Sequence, residues 1–235
     1  MKPKIKFILF EPSHPGNIGA AARAIKTMGF ARLCLISPIK HPHPEARARS
    51  AGALDVLLDA EVFDNLQDAI KDCGLIIGTT SRTRRISVPI TNIREAAPSI
   101  ISEAKEKEVA IIFGPEKSGL INQQIDCCNQ LVNIPSIGSY KSLNLAMAVQ
   151  ILAYELRVAC QALPSAIRVR NLASNAEIEL FYMHLNQVLL ETGFLNPKNP
   201  KQLMRRLRAL FNRAQMDENE INIMRGILAS YKTKQ

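Results

Sequence analysis

From the N-terminus, short apolar runs alternate with longer stretches in which apolar positions return every three or four residues. The runs are IKFILF (5–10), LCLI (33–36), LIIG (75–78), VAIIF (109–113) and LVNI (131–134). Each is aliphatic, partly β-branched and too short for a stable helix, which predicts buried strands. Strands alternating with helical segments predict an α/β domain whose mostly parallel sheet is covered on both faces. Ligand loops in such a sheet follow the carboxyl ends of the strands. Residues 142–162 keep Leu145, Val149, Leu152 and Leu156 at helical spacing and predict a long helix closing a domain over 1–162.

The periodicity then breaks. LPSAIRVRNLASN (163–175) carries proline, serine and asparagine and predicts a linker. Residues 176–235 have helical spacing only, and predict a small all-helical module. Ile178, Phe181, Leu185, Val188 and Leu189 form one stripe that stops at Gly193, a good helix end. Leu203, Leu207, Leu210 and Phe211 form another, entered near Pro200. Asp217 with Glu220 three residues on resembles a capping box.

A length of 235 residues with 47% hydrophobic composition supports a full core without staples. The formal charge of +9 leaves a polyanionic partner and a merely basic surface equally open. The location of the charge narrows this: residues 198–235 hold nine Lys+Arg against three acids. Arg205, Arg206, Arg208 and Arg213 surround an apolar stripe, which suits phosphate contacts as well as a solvated face. Five cysteines without C-x-x-C spacing give no zinc site and no disulfide framework, so no metal is expected. MKPKIKFILF is too short in apolar residues for a secretory signal, and no window nears the roughly eighteen of a membrane span. A cytoplasmic protein with no membrane contact is expected.

Four loops carry candidate chemistry. SHPGNIGAAARA (13–24) follows the first strand with Gly16, Asn17, Gly19 and Arg23. It lacks the full G-x-G-x-x-G pattern, and the second strand ends in Ser37 and Pro38 without an acidic ribose ligand, so a nucleotide-dependent oxidoreductase is a distant reading. The plain alternative is a tight turn, a close helix–strand contact and a surface arginine. FGPEKSGL (113–120) offers Gly114 and Gly119 for close backbone approach, with Glu116 as ligand group or turn residue. In IPSIGSYKSLNLAMA (134–148), Ser142 or Asn144 either caps the following helix or faces a ligand. GTTSRTRR (78–85) ends in Arg82, Arg84 and Arg85, a basic loop or a phosphate clamp.

Taken in order, N-x-G-x-x-x-R from Asn17 to Arg23, F-G-x-E-x-x-G-L from Phe113 to Leu120, and S-L-N-L-A-x-A from Ser142 to Ala148 resemble the three motifs of the SpoU/TrmH family of SPOUT RNA ribose methyltransferases. SHPGNIGAAARAIKTMG, GTTSRTRR and a tail ending INIMRGILAS resemble its TrmJ branch, which methylates tRNA in the anticodon loop. The likeness covers essentially the whole chain.

The resemblance implies a trefoil-knotted α/β SPOUT domain with a helical C-terminal module, a fold that periodicity alone reads as an open doubly wound sheet. It implies S-adenosylmethionine as cofactor, lined by Thr79, Thr80, Ser81, Gly114, Ile134, Lys141, Ser142 and Leu143. It assigns catalysis to Arg23, Asn17, Glu116, Ser142 and Asn144, and RNA binding to Arg82, Arg84 and Arg85 with the four tail arginines. The reaction is methyl transfer to a ribose 2′-OH at tRNA position 32, in a homodimer whose Arg23 reaches the partner's cofactor. A guanidinium stays protonated in proteins, so Arg23 is expected to polarise the 2′-oxygen and grip a phosphate. Pro115 departs from the arginine that TrmJ-type sequences can carry there, which bears on substrate range. Action on rRNA or another tRNA position is the runner-up, and a non-catalytic RNA-binding protein is the alternative outside enzymes.

Overall fold

The computed structural model describes residues 3–81, 88–137, 142–162, 171–198 and 200–232. The five expected strands form, as β1 (Ile5–Phe10), β2 (Arg32–Ile36), β4 (Cys73–Thr79), β6 (Glu108–Phe113) and β7 (Gln130–Asn133). Two more, β3 (Glu61–Phe63) and β5 (Ile90–Asn92), lie at the sheet edges. Each has three residues and no apolar run, and Val62 is half exposed, so neither carries the signal of a buried strand. The order is β3-β2-β1-β6-β4-β7-β5, and every pairing is parallel.

Period-two alternation sends Phe7, Leu9, Ile111 and Phe113 to one face and Ile8, Ala110 and Ile112 to the other. The first face is covered by α1 (Pro15–Thr27), α5 (Ile93–Glu103) and α7 (Leu145–Ala162), and the second by α4 (Leu66–Ile70) and α6 (Asn122–Ile125). Leu145, Val149, Leu152 and Leu156 of α7 are all buried, as their spacing predicts. Both faces being covered is what turns parallel strands into near-continuous apolar runs.

Two short helices complete the β2 side: α2 (Pro44–Ser50) and α3 (Leu54–Leu58). Here a sequence expectation changes. Gly19 serves a helix–helix contact, not a helix–strand one: a Cβ placed on it would lie 2.0 Å from the Ala46 carbonyl oxygen of α2. Only glycine lets the two backbones approach so closely.

The C-terminal segment folds as α8 (Asn175–Glu191), α9 (Leu203–Ala214) and α10 (Glu218–Lys232) around Phe181, Tyr182, Leu185 and Ile221. Gly193 takes the left-handed conformation just past α8, and Asp217 and Glu220 exchange the two bonds of a capping box. The α9 stripe differs from expectation. Leu210 is half exposed, while Ala209 and Asn212 are buried. The helix is rotated because Asn212 docks on the segment before β7, donating to the Asp126 and Cys128 carbonyls and accepting at its own carbonyl from Asn129.

Residues 171–174 of the expected linker are packed. Leu172 is buried in the main core, Ala173 in the helical core, and Ala173 N–H donates to Met216 O. Residues 163–170 lie outside the described ones, as do 138–141 of the third motif loop, which the resemblance makes part of the expected knot.

Candidate active site

A cavity of about 550 Å³ opens where β4, β6 and β7 end. Phe113, Leu120, Val132, Leu145 and Leu152 supply its apolar lining. Phe113, Leu120 and Leu145 are fixed positions of the second and third motifs, whereas Val132 and Leu152 carry no motif signal and come from the end of β7 and the inner face of α7. The polar lining comes from Thr79, Thr80, Ser81, Glu116, Lys117, Ser118 and Ser142. Gly114, Ile134 and Leu143, the other described members of the expected cofactor set, line it too. Lys141, Arg82, Arg84 and Arg85 lie outside the described residues.

The loop after β6 explains its glycines. The Gly114 position has no room for a side chain, because a Cβ there would lie 2.3 Å from the Leu120 nitrogen. The loop doubles back through a bond from Gly119 N–H to Pro115 O at 2.8 Å, with Gly119 at φ +63°. This brings Glu116 across to the start of α1, about a hundred residues earlier in the chain.

There the Glu116 carboxylate is an acceptor hub. Oε2 accepts from Ser13 N–H at 3.1 Å and Ser13 Oγ at 2.9 Å, and Oε1 from Asn17 Nδ2 at 2.9 Å and, more weakly, His14 N–H at 3.4 Å. Asn17 Oδ1 accepts in turn from Asn144 Nδ2 at 2.9 Å. Asn144 Oδ1 then caps α7, accepting from Ala146 N–H at 2.9 Å. Three loops far apart in sequence are thus tied by one directional chain, Glu116–Asn17–Asn144. Burial pushes the Glu116 carboxyl up, but the hydrogen bonds from Asn17 and Ser13 outweigh it and hold the group below its ordinary value. Ser13, absent from the expected set, is a full member of this chain; a hydroxyl next to the motif was its only sequence signal.

Arg23 stands apart. It lies exposed on α1, two turns beyond Gly16, and does not line the cavity. The tail arginines divide into two pairs. Arg205 ion-pairs with Asp126 at 3.0 Å, and Arg208 makes two bonds to Glu179 while stacking on the Tyr182 ring at 4.3 Å. Arg206 and Arg213 are exposed. Of the four arginines expected to meet phosphate, Arg205 and Arg208 are thus held by carboxylates of the chain itself, while Arg206 and Arg213 stand free of such pairs among the described residues.

Among the described residues no cluster of three metal-ligating side chains occurs, and no helix is long and apolar enough to cross a membrane.

The SpoU rRNA Methylase family matches residues 4–154, and the C-terminal domain of the tRNA methyltransferase TrmJ matches 176–235. The chain is 45% identical to the tRNA (cytidine/uridine-2′-O-)-methyltransferase TrmJ of Sodalis glossinidius, covering 100% of this chain and 94% of that protein. It is 42% identical to the tRNA (cytidine/uridine/adenosine-2′-O-)-methyltransferase TrmJ of Pseudomonas aeruginosa, covering 97% and 93%. The crystal structure of TrmJ from Z. mobilis ZM4 superposes with a TM-score of 0.85 at 31% identity, covering 99% of this chain and 100% of that one. The fold alone is shared with the SpoU methyltransferase AviRb from Streptomyces viridochromogenes, solved with AdoMet, at 21% identity and a TM-score of 0.57 over 69% and 60% of the two chains.

Proposed function

We propose, for a chain that belongs to the SpoU methylase family and carries a TrmJ C-terminal domain, that it methylates the ribose 2′-oxygen of tRNA nucleotide 32, cytidine or uridine, using S-adenosylmethionine. The observation that carries this reading is the Glu116–Asn17–Asn144 chain, which ties the three motif loops together at the mouth of one cavity. The cavity fits the cofactor. Its volume of about 550 Å³ falls within the range of small-molecule sites, and Gly114 lets the loop at its rim fold back tightly on Gly119 and Leu120.

When bound, S-adenosylmethionine would supply an electrophilic methyl carbon to the 2′-oxygen, its sulfur keeping the electron pair of the broken carbon–sulfur bond and the hydroxyl proton passing to water. The residues of this chain hold and orient. Main-chain groups at Gly114, Ile134 and Leu143 would hold the adenine; Lys141, of the same expected set, lies outside the described residues. Ile134 and Leu143 would supply apolar contact to it, and Thr79, Thr80, Ser81 and Ser142 would bond the polar remainder. Glu116, Asn17 and Asn144 fix the loops, so that the reacting atoms meet in line without reorganisation.

A guanidinium is a poor base and a strong planar donor, so the role given to Arg23 is to polarise the 2′-oxygen and grip the neighbouring phosphate. Its exposed position away from the cavity of its own chain supports a homodimer in which Arg23 of the partner subunit completes the site. Arg206 and Arg213 of the helical module, with Arg82, Arg84 and Arg85, bind the RNA backbone. A cytoplasmic enzyme follows from such a substrate.

The experiment is transfer of labelled methyl to unmodified tRNA, beside the same tRNA with one 2′-deoxy nucleotide at position 32. Label lost only from the deoxy substrate supports enzyme, chemistry and site together. Label on both moves the site, and label on neither redirects the search to rRNA or a binding role.

A further inference from the structure

Helix α2 runs beside α1, and the contacts between them order their exposed edges. Gly16 meets Glu45 at the N-terminal end, Gly19 meets Ala46 in the middle, and Lys26 reaches Gly52 O and Asp55 at the far end. The two helices therefore run roughly side by side in the same direction. Arg23 follows Gly16 by seven residues, two turns, and Arg49 follows Glu45 by four, one turn, so each stays on the edge where Gly16 meets Glu45. Arg47 falls on the opposite edge of α2, with the buried Ala46 and Ser50 between the two. All three arginines are exposed.

Arg49 has a carboxylate within easy reach and leaves it unused. Glu45 lies one turn before it, at the spacing and in the order that favour a helical ion pair. Glu45 points instead toward α1, 3.9 Å from His14 Nδ1. Elsewhere Arg32, Arg94, Arg205 and Arg208 pair with carboxylates, while Arg47, Arg157, Arg206, Arg213 and Arg225 make no such pair among the described residues. Among the described residues Arg23 and Arg49 make none either, so two unneutralised guanidinium groups stand on one edge beside the loop that carries Glu116. The start of α1 is already occupied by the Glu116 and Glu45 carboxylates, which steers an incoming anion further along the edge, to the arginines.

We propose that Arg49 is an RNA-contacting residue that, with Arg23, clamps consecutive phosphates of the strand bearing the target ribose. This rests on the methyltransferase reading above, in which Arg23 grips the adjacent phosphate. An RNA backbone presents phosphates in series, and two planar donors on one edge match it as a single surface charge does not.

The test is steady-state methyl transfer to an unmodified tRNA transcript by wild type, Arg49→Ala and Arg47→Ala, with filter binding of the isolated anticodon hairpin in parallel. Arg49→Ala is expected to raise KM for tRNA roughly five- to tenfold with kcat within about twofold. It should reduce the slope of log affinity against log salt by about 0.7. Arg47→Ala removes the same charge from the other edge and should shift KM less than about twofold, and Arg49→Lys should recover part of the loss. Equal effects of the two alanine variants, or none from Arg49→Ala, overturn the clamp. If wild type transfers no methyl group, the functional reading fails, and hairpin binding by the same two variants still decides whether Arg49 meets RNA.

Discussion

Replacing Glu116 by glutamine keeps the shape of the side chain and changes one acceptor into a donor, which the hydrogen-bond chain cannot absorb. The direction of the chain is set at its far end, where Ala146 N–H needs Asn144 Oδ1. Asn144 must then present Nδ2 to Asn17, and Asn17 its own Nδ2 to Glu116. With the new amide nitrogen turned toward Asn17, two donors face each other; with it turned toward Ser13, the Ser13 N–H is opposed instead. One donor is lost either way. An unmatched donor costs about 1–3 kcal/mol when buried, and Ser13 is exposed to water, so the low end applies, about 1 kcal/mol. That is about 2–4 °C in Tm for a chain of this size. In the site, where the loops must be held in place before reaction, the same energy is roughly a five- to tenfold loss of kcat/KM.

The decisive assay is a double-mutant cycle. Asn17→Asp alone sets two carboxylates against each other across a gap now spanned at 2.9 Å, and should do more harm than Glu116→Gln. Combined, the two changes restore a matched contact: the introduced glutamine donates to the introduced aspartate, which still accepts from Asn144. Activity and the affinity for S-adenosylhomocysteine should recover to within about threefold of wild type, a coupling of at least about 1 kcal/mol. His14 N–H stays without its weak acceptor, so recovery is incomplete. If the losses of the single variants simply multiply in the double variant, the directional chain is not what organises the site.

Gly114→Ala pushes a Cβ to 2.3 Å from the Leu120 nitrogen, a backbone atom that cannot step aside; calorimetry should find S-adenosylhomocysteine binding weakened more than about tenfold, and unchanged affinity would refute the cradle. Gly19→Ala gains about 1 kcal/mol of helix propensity but overpacks α1 on α2, so thermal unfolding should show a net loss of about 2 kcal/mol, or about 4–8 °C; a higher Tm would mean the helices separate freely. The pKa of Glu116 is lowered on folding, so its contribution is fully present above its ordinary value of 4.5 and is lost only as pH falls through the lower folded value. Binding of S-adenosylhomocysteine should accordingly show no Glu116-dependent inflection between about pH 8 and pH 5, and one near pH 6 would contradict the assignment. Arg206→Glu with Arg213→Glu should weaken tRNA binding and leave Tm nearly unchanged, while Arg205→Ala with Arg208→Ala should lower Tm; the reverse pattern would exchange their roles.

The central strands are legible in the sequence because parallel strands covered on both faces are continuous apolar runs, and β1, β2, β4, β6 and β7 all are. The edge strands β3 and β5 escape because three residues paired on one side have no such run. The motif residues are visible as an ordered triplet, but the pairing between them is not. Nothing in local spacing says that Glu116 bonds to Asn17, ninety-nine positions away, or that Ser13 joins them. The orientation of helix α9 is hidden because an asparagine, Asn212, takes the buried position that a period-3.6 pattern reserves for leucine. Burying it is tolerable because its side-chain nitrogen and oxygen are both bonded, to the Asp126 and Cys128 carbonyls and to the Tyr182 hydroxyl.

That asparagine also sets where the helical module stands relative to the cavity. Asn212 and Arg205 hold the segment 126–129, which leads into the first residue of β7. Lys71 O accepts from Ala176 N–H just before β4, and Lys107 pairs with Glu218 just before β6. Every one of these contacts lies at the amino ends of strands whose carboxyl ends line the cavity. In parallel strands of four to seven residues the two ends are separated by roughly 10–20 Å. The module is thus fixed to the far side of the sheet from the cavity of its own chain, and Arg23 stands outside that cavity as well. The helical module and Arg23, two of the groups assigned to RNA, lie beyond the pocket assigned to the cofactor, so an RNA bound by both would have to span two regions of protein surface. A second subunit that brings its own Arg23 to this cavity would satisfy that geometry without moving the module, which is why the dimer and the tail are best tested together, by comparing the sedimentation of full-length protein with its RNA-binding stoichiometry.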